Sequence, residues 1–310
     1  MVTNKNELNN KYSSTKWAFI GLALLAIIWG YNWVILKKGM AYSEPFAFSA
    51  IRTFFGALVL FILAAILKQP LKIPPLRYMI PLGIFQTSGF IGLVSWAIVS
   101  GAAGRTSVLT YTMPFWVLIM AWPILNEKIR GIQWLAVVSA LVGLVLIISP
   151  WNMSGSLKSN LIALASGFSW GVSSILLKLM QRKHTIHTLP YLAWQMMIGL
   201  IPLLIVAIIR FDGGPTWSGY FIFALAFCVI PGGAIAWMLW MHAIKILPAG
   251  TAGISSLAIP VIGVISAWIQ LHERPNLYEA LGMLLIVLAL AVLTAREILL
   301  SRHVDGIDSS

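Results

Sequence analysis

Gly101 to Glu127 reads GAAGRTSVLTYTMPFWVLIMAWPILNE, and 146 residues further on Leu247 to Glu273 reads LPAGTAGISSLAIPVIGVISAWIQLHE. With no gap, Ala103-Gly104 falls on Ala249-Gly250, Pro114 on Pro260, Ala121-Trp122 on Ala267-Trp268 and Glu127 on Glu273. Each copy is an apolar stretch with a central proline that closes on a glutamate followed by a basic residue, Lys128 or Arg274. The chain therefore reads as two copies of one helical bundle, and the seam between the copies is the place to look for chemistry.

The composition says what surrounds those copies. Of 310 residues, 59% are hydrophobic and only 10% charged, with a mean hydropathy of +0.89. Soluble domains carry about 25% charged residues. The apolar runs are long enough to cross a hydrocarbon core of about 30 Å. The expected fold is an all-α polytopic membrane protein, with ten transmembrane helices arranged as two inverted five-helix repeats.

The net charge of +12 is spread one to three residues at a time between apolar runs, as in loops that meet anionic headgroups, and this argues against nucleic acid as a partner. Cys228 is the single cysteine, so no intrachain disulfide or thiolate metal site can form. The first apolar run, Trp17 to Leu36, follows Lys5, Lys11 and Lys16 but is too long for a signal peptide core, and is expected to be retained.

The boundaries follow from Pro, Gly and charge clusters. Residues 1–16 form a polar cytoplasmic tail expected to lack fixed structure, 17–149 the first repeat, 150–158 a linking loop, 159–296 the second repeat and 297–310 a second tail. The ten expected spans are Trp17–Leu36, Pro45–Leu67, Tyr78–Val99, Ser107–Leu125, Trp134–Ile148, Leu161–Met180, Leu189–Ile209, Trp217–Ile244, Thr251–Leu271 and Tyr278–Ala295. With the N-terminus inside, fourteen of the 21 Lys and Arg residues fall on the cytoplasmic side and six outside, and Arg52 lies within a span. Five spans per repeat then force the second copy to run opposite to the first.

The candidate site residues repeat as well. The first span carries Trp29, Asn32 and Trp33 on one helical face, and the sixth carries Trp170, Ser173 and Ser174. Two readings stay open for this pattern: packing between helices, or the lining of a cavity. In the fourth span Ser107, Thr110, Tyr111 and Pro114 follow the same stripe, echoed by Gly253, Ser256 and Pro260 in the ninth. Each proline frees the carbonyl four residues earlier, which makes a structural kink or a gate. Arg52, about eight residues into its span, faces no acid in mid-membrane. Insertion scales put a lone arginine at that depth at about 2.5–3.5 kcal/mol, so it must be satisfied by protein, by the interface or by an anionic solute. Gln86, Gln195 and Trp237 add mid-span candidates, whereas Glu127 and Glu273 read as caps or ion-pair partners at helix ends.

Together, Trp29-Gly30 with Lys37, the Pro45 to Arg52 opening and the two Pro–Trp–Glu closures resemble the EamA-type exporters of the drug/metabolite transporter superfamily. The resemblance covers nearly the whole chain and implies ten helices around a central cavity in the cytoplasmic (inner) membrane, exporting amino acids, other metabolites or amphipathic drugs. The seventh span carries Met197 where the second has Arg52, so that charge is not mirrored.

The functional expectation is a secondary transporter, not an enzyme, working by alternating access without a cofactor or metal. No Walker loop, HExxH, Gly-x-Ser-x-Gly elbow or mid-span acid pair is present. The substrate-binding candidates are Trp29, Asn32, Trp33, Arg52, Gln86, Tyr111, Trp170, Ser173, Ser174, Trp237 and Ser256, with Pro114 and Pro260 as hinges. The expected partners are a small-molecule substrate and the lipid bilayer, with no nucleic acid; the sequence leaves the oligomeric state open, a monomer among the alternatives. The rival readings are a channel, a non-transporting sensor and a membrane-embedded lipid enzyme. Green fluorescent protein fused to either end should fluoresce, and alkaline phosphatase at either end should be inactive. Active phosphatase at one end alone would contradict the even number of crossings.

Overall fold

The computed structural model describes residues 5–126, 131–148, 157–246 and 258–307, so Glu127, Gly253 and Ser256 lie outside the described residues. The described residues are helical, with no strand among them. The first repeat contains α1 (Lys5–Gly39), α2 (Pro45–Ile66), α3 (Leu76–Ser100), α4 (Ala103–Leu125) and α5 (Ile132–Ile148). The second contains α6 (Leu157–Gln181), α7 (Thr188–Ile209), α8 (Gly219–Val229 continuing through Ile230–Ile235 to Ala236–Ile246), α9 (Ala258–Leu271) and α10 (Leu277–Ile307).

Seven helices are long and apolar enough to cross a bilayer, and Ile132–Ile147, Ala258–Leu271 and Leu277–Val292 form shorter apolar helical stretches. Apolar side chains lie exposed at helical spacing, as Phe55, Leu58, Ile62 and Ile66 on α2 and Ile201, Leu204, Ile205 and Ile208 on α7. Such stripes belong against lipid, and the chain is a multi-pass membrane protein. The duplicated Ala-Trp pair divides its work accordingly. Ala121 and Ala267 are buried against neighbouring helices, while Trp122 and Trp268 point outward.

Local chemistry sets the helix starts. Glu44 accepts hydrogen bonds from the Phe46 and Ala47 amides at 2.7 and 3.0 Å, with Pro45 in the first turn of α2. Asn276 and Glu279 exchange side-chain and backbone bonds at the start of α10, an arrangement that satisfies two orphan amides at once. The polar segment expected to lack structure is instead helical from Lys5, and the C-terminal tail stays helical to Ile307. Extending a helix already nucleated costs far less than starting one, so each tail continues its neighbour.

Helices pack mainly across the two repeats. α2 lies along α7 and α5 along α10; α1 packs on α8 and α9, and α6 on α3 and α4. Gly30 permits the α1–α9 crossing, since a Cβ there would sit 2.6 Å from Ile262 Cβ. Its repeat equivalent Gly171 does the same for α6 on α4, where a Cβ would meet Trp116 Cβ at 2.9 Å. The repeated Trp-Gly pair thus combines a close helix contact with a ring beside it. Gly30→Val should destabilise the protein by about 1–3 kcal/mol through overpacking, seen as a lower thermal midpoint in detergent. Gly219→Ala, where a Cβ meets nothing within 4 Å, should leave the midpoint unchanged.

Candidate functional site

Two irregular helical segments frame the centre of the seam. α3 is π-helical over Gly83–Ile91 and α8 over Ile230–Ile235, at equivalent places in the two repeats. A π-helical turn widens the helix and leaves carbonyls for other donors. Side chains from the opposite repeat take them. Trp29 Nε1 donates to the Gly232 carbonyl at 2.8 Å, and Ser169 Oγ donates to the Phe85 carbonyl at 2.8 Å. Ser173 Oγ donates to Gln86 Oε1 and also to its own helix at the Trp170 carbonyl.

These contacts surround a cavity of about 370 Å³ within the range of small-molecule sites. Gln86, Trp170, Ser173, Ser174 and Trp237 line it, as the sequence pattern suggested. α7, from which the sequence offered Gln195 as a mid-span candidate, contributes Tyr191, Leu192, Gln195 and Met196. Phe90 stacks on Trp170 with centroids 4.8 Å apart and planes 37° apart. Gln195 Nε2 reaches Thr87 Oγ1 at 3.4 Å, and its buried Oε1 has no partner. Phe90 was not among the candidates read from the sequence, although its place one turn after Gln86 was a signal for it. Tyr191 and Trp240 carried no signal of their own, because nothing in a single chain says which faces of α7 and α8 turn toward the cavity.

The remaining candidates stand behind this wall. Trp29 meets Trp237 edge to face at 5.6 Å, and Tyr111 meets Trp170 likewise at 5.7 Å. Asn32 Oδ1 accepts a hydrogen bond from Cys228 Sγ at 3.3 Å. Trp33 is buried in the core, beside Gly263, and is set away from the cavity lining. Pro114 follows a break in α4, which runs Ala103–Thr110 and resumes as Met113–Leu125. Pro260 is buried in the first turn of the described part of α9. Arg52 lines a smaller space of about 60 Å³ with Thr53, Cys228 and Gly233; Ile91, Met196 and Trp237 belong to both this space and the larger cavity.

The two ends of the seam differ. The cavity runs out past Leu177, Gln181, Ile186 and Thr188, at the α6–α7 connection. At the other end, polar contacts tie the repeats together. Lys37 Nζ lies 3.4 Å from Glu273 Oε1 and donates to the Gly101 carbonyl, while Glu273 Oε2 accepts from the Gly104 amide at 3.2 Å. Arg105 pairs with Glu279 at 2.7 Å and Arg210 with Glu44 at 2.9 Å. Tyr31 Oη donates to Gln270 Oε1 at 3.0 Å. Glu273 is thus both ion-pair partner and cap, but for groups of the first repeat and not for the adjacent Arg274.

The pattern of the EamA-like transporter family matches twice, at residues 16–149 and 157–295. The chain belongs to the EamA-like transporter family. It is 30% identical over 274 residues to the uncharacterized transporter YoaV of Bacillus subtilis (strain 168), covering 86% of this chain and 93% of that one. It is 22% identical over 280 residues to a probable amino-acid metabolite efflux pump of Escherichia coli (strain K12), covering 87% and 92%. One solved crystal structure superimposes with a TM-score of 0.64 at 18% identity over 93% of this chain and 99% of that chain, a likeness of fold. The protein is a membrane transporter of this family, and its relatives' names point away from an enzyme.

If the Lys37–Glu273 cluster holds its end shut, Glu273→Gln should expose the helices beneath it. Ala267, buried under Glu273 and Gly104, makes a reporter when changed to cysteine in a Cys228→Ser background. A water-soluble maleimide should label Ala267→Cys slowly, and several-fold faster once Glu273→Gln is added. Equal rates would mean that the cluster does not seal that end.

Proposed function

We propose that this transporter exports small metabolites, amino acids or amphipathic solutes, across the cytoplasmic membrane by alternating access. In this reading all ten helices cross the bilayer as two inverted five-helix repeats, both termini are cytoplasmic, and the cavity between α3, α6, α7 and α8 receives the solute.

One observation carries the reading: the seam is tied by ion pairs at the end holding Lys37, Arg105 and Glu273, while the cavity reaches the end holding Gln181 and Thr188. A channel needs a path through both ends, whereas a carrier alternates which end is closed. The Lys and Arg count assigns the open end to the cytoplasm, the side from which an exporter loads.

The helix contacts support the inverted arrangement. Exchanging each helix for its repeat equivalent leaves the pattern unchanged: α2–α7 and α5–α10 map onto themselves, α1–α9 onto α6–α4, and α1–α8 onto α6–α3. A seam of that symmetry offers inward-open and outward-open arrangements of similar energy. The printed name of the Escherichia coli relative, an amino-acid metabolite efflux pump, agrees with a solute of that size. Trp170, Phe90 and Trp237 offer apolar faces, while Gln86, Ser174 and Gln195 offer hydrogen bonds.

Purified protein in liposomes, screened with labelled amino acids with and without a pH gradient, should give saturable flux. Trp170→Ala should lower kcat/KM on the order of tenfold or more for any accepted solute, as expected for loss of a base-plate aromatic ring. Trp29→Ala with Asn32→Ala should lower it as well, through Trp237 and Gly232. Flux linear in solute, or both variants unchanged, would sink this reading of the site.

A further inference from the structure

We infer that Arg52 is the anchor for a carboxylate, so that this transporter selects solutes with an anionic head on an apolar or aromatic body. This rests on the transport reading above and names the substrate class of that site.

The argument begins with charge. Arg52 lies about eight residues into an apolar span, deeper than the Lys and Arg residues near span ends, and a guanidinium has five donors and stays charged. Its Nε is buried and has no hydrogen-bond partner. No carboxylate among the described residues pairs with it: Glu44, Glu273 and Glu279 are engaged with Arg210, Lys37 and Arg105 at the closed end. The Cys228 thiol, which shares its pocket and lies in hydrogen-bond contact with the guanidinium, keeps its proton and donates a hydrogen bond to Asn32 Oδ1, so it brings no negative charge and leaves Nε without a partner. A buried cation with an unused donor awaits an acceptor from outside the chain.

The shape of the space is consistent with this. About 60 Å³ beside Arg52 is several times the ~10–15 Å³ that admits one water, enough for a headgroup and too small for an aromatic ring. It adjoins the 370 Å³ cavity at Ile91, Met196 and Trp237, where Phe90, Trp170 and Trp240 offer ring faces. A solute entering at the Gln181 end would place its body among those rings and its carboxylate against the guanidinium in a charge-assisted, bidentate contact. In the second repeat the equivalent residue is Met197, so the pocket has one charged pole and orients its solute.

Matched probes test this in proteoliposomes: L-phenylalanine, L-tryptophan and phenylpyruvate against phenylalaninamide and tryptophanamide. The acids should compete with a labelled accepted acid at least tenfold better than the amides. Arg52→Gln should erase that preference, and Arg52→Lys should keep part of it, since the charge remains but the fork does not. The acid-over-amide preference is read in the unaltered protein, so it stands even if Arg52→Gln does not fold. Equal competition by acids and amides, or a preference that survives in a folded Arg52→Gln protein, overturns the assignment while leaving transport intact. Saturable flux of none of the probes would remove the transport reading and this inference with it.

Discussion

Inside a bilayer a helix can satisfy a spare polar atom only against the protein itself, and along the seam that partner is often the opposite repeat. Trp29 bonds Gly232, Ser169 bonds Phe85, Ser173 bonds Gln86, Ser88 bonds Gly199, Thr110 meets Ser166 and Ser159 bonds Ala97. Each of these contacts crosses the seam. Neither half can therefore present a dry, satisfied surface alone, and the seam is both the main packing interface and the wall of the cavity.

That dual role explains why the irregular helices sit where they do. A regular α3 and α8 would engage more of their carbonyls within the helix and leave the facing helices fewer free lone pairs to bond. The π-helical segments release carbonyls at matching depths, and the bonds that reach them come from α1 and α6, the helices bearing the Trp-Gly pairs. Contacts of this kind are individually modest in membranes, on the order of 0.6 kcal/mol, so a set of them can break and re-form as two rigid groups rock. The ion pairs around Lys37, Glu273 and Arg105 add to these contacts at the end of the seam away from the cavity mouth.

Much of this was legible in the chain, for physical reasons. A gap-free repeat fixes the duplicated helices because the bilayer demands apolar runs of set length, and the spans read from the sequence coincide closely with α2, α3, α5, α6 and α7. The stripe of Trp170, Ser173 and Ser174 on one face of the sixth span left packing and cavity lining both open in the sequence, and in the structure these residues, with Gln86 from α3, line the cavity. Contacts between elements distant in sequence were not legible. Nothing in the chain says that Lys37 meets Glu273, that α7 lends Tyr191 and Met196 to the cavity, or that Trp33 turns into the core while Trp29 stands behind Trp237. The helical tails were missed because their polarity, read alone, hides the stabilising effect of an adjoining span.

The central claim is that the two ends of the seam open in opposition, and paired distance measurements test it most directly. Spin labels at Ala41 and Leu277, both exposed, would report on the ion-paired end, and labels at Lys72 and Lys183 on the cavity's open end, each pair in a Cys228→Ser background. The account predicts a short distance for the first pair at rest, and a second, longer population when saturating solute is added, with the second pair shortening in step. Two pairs that lengthen together, or that never change, would contradict it.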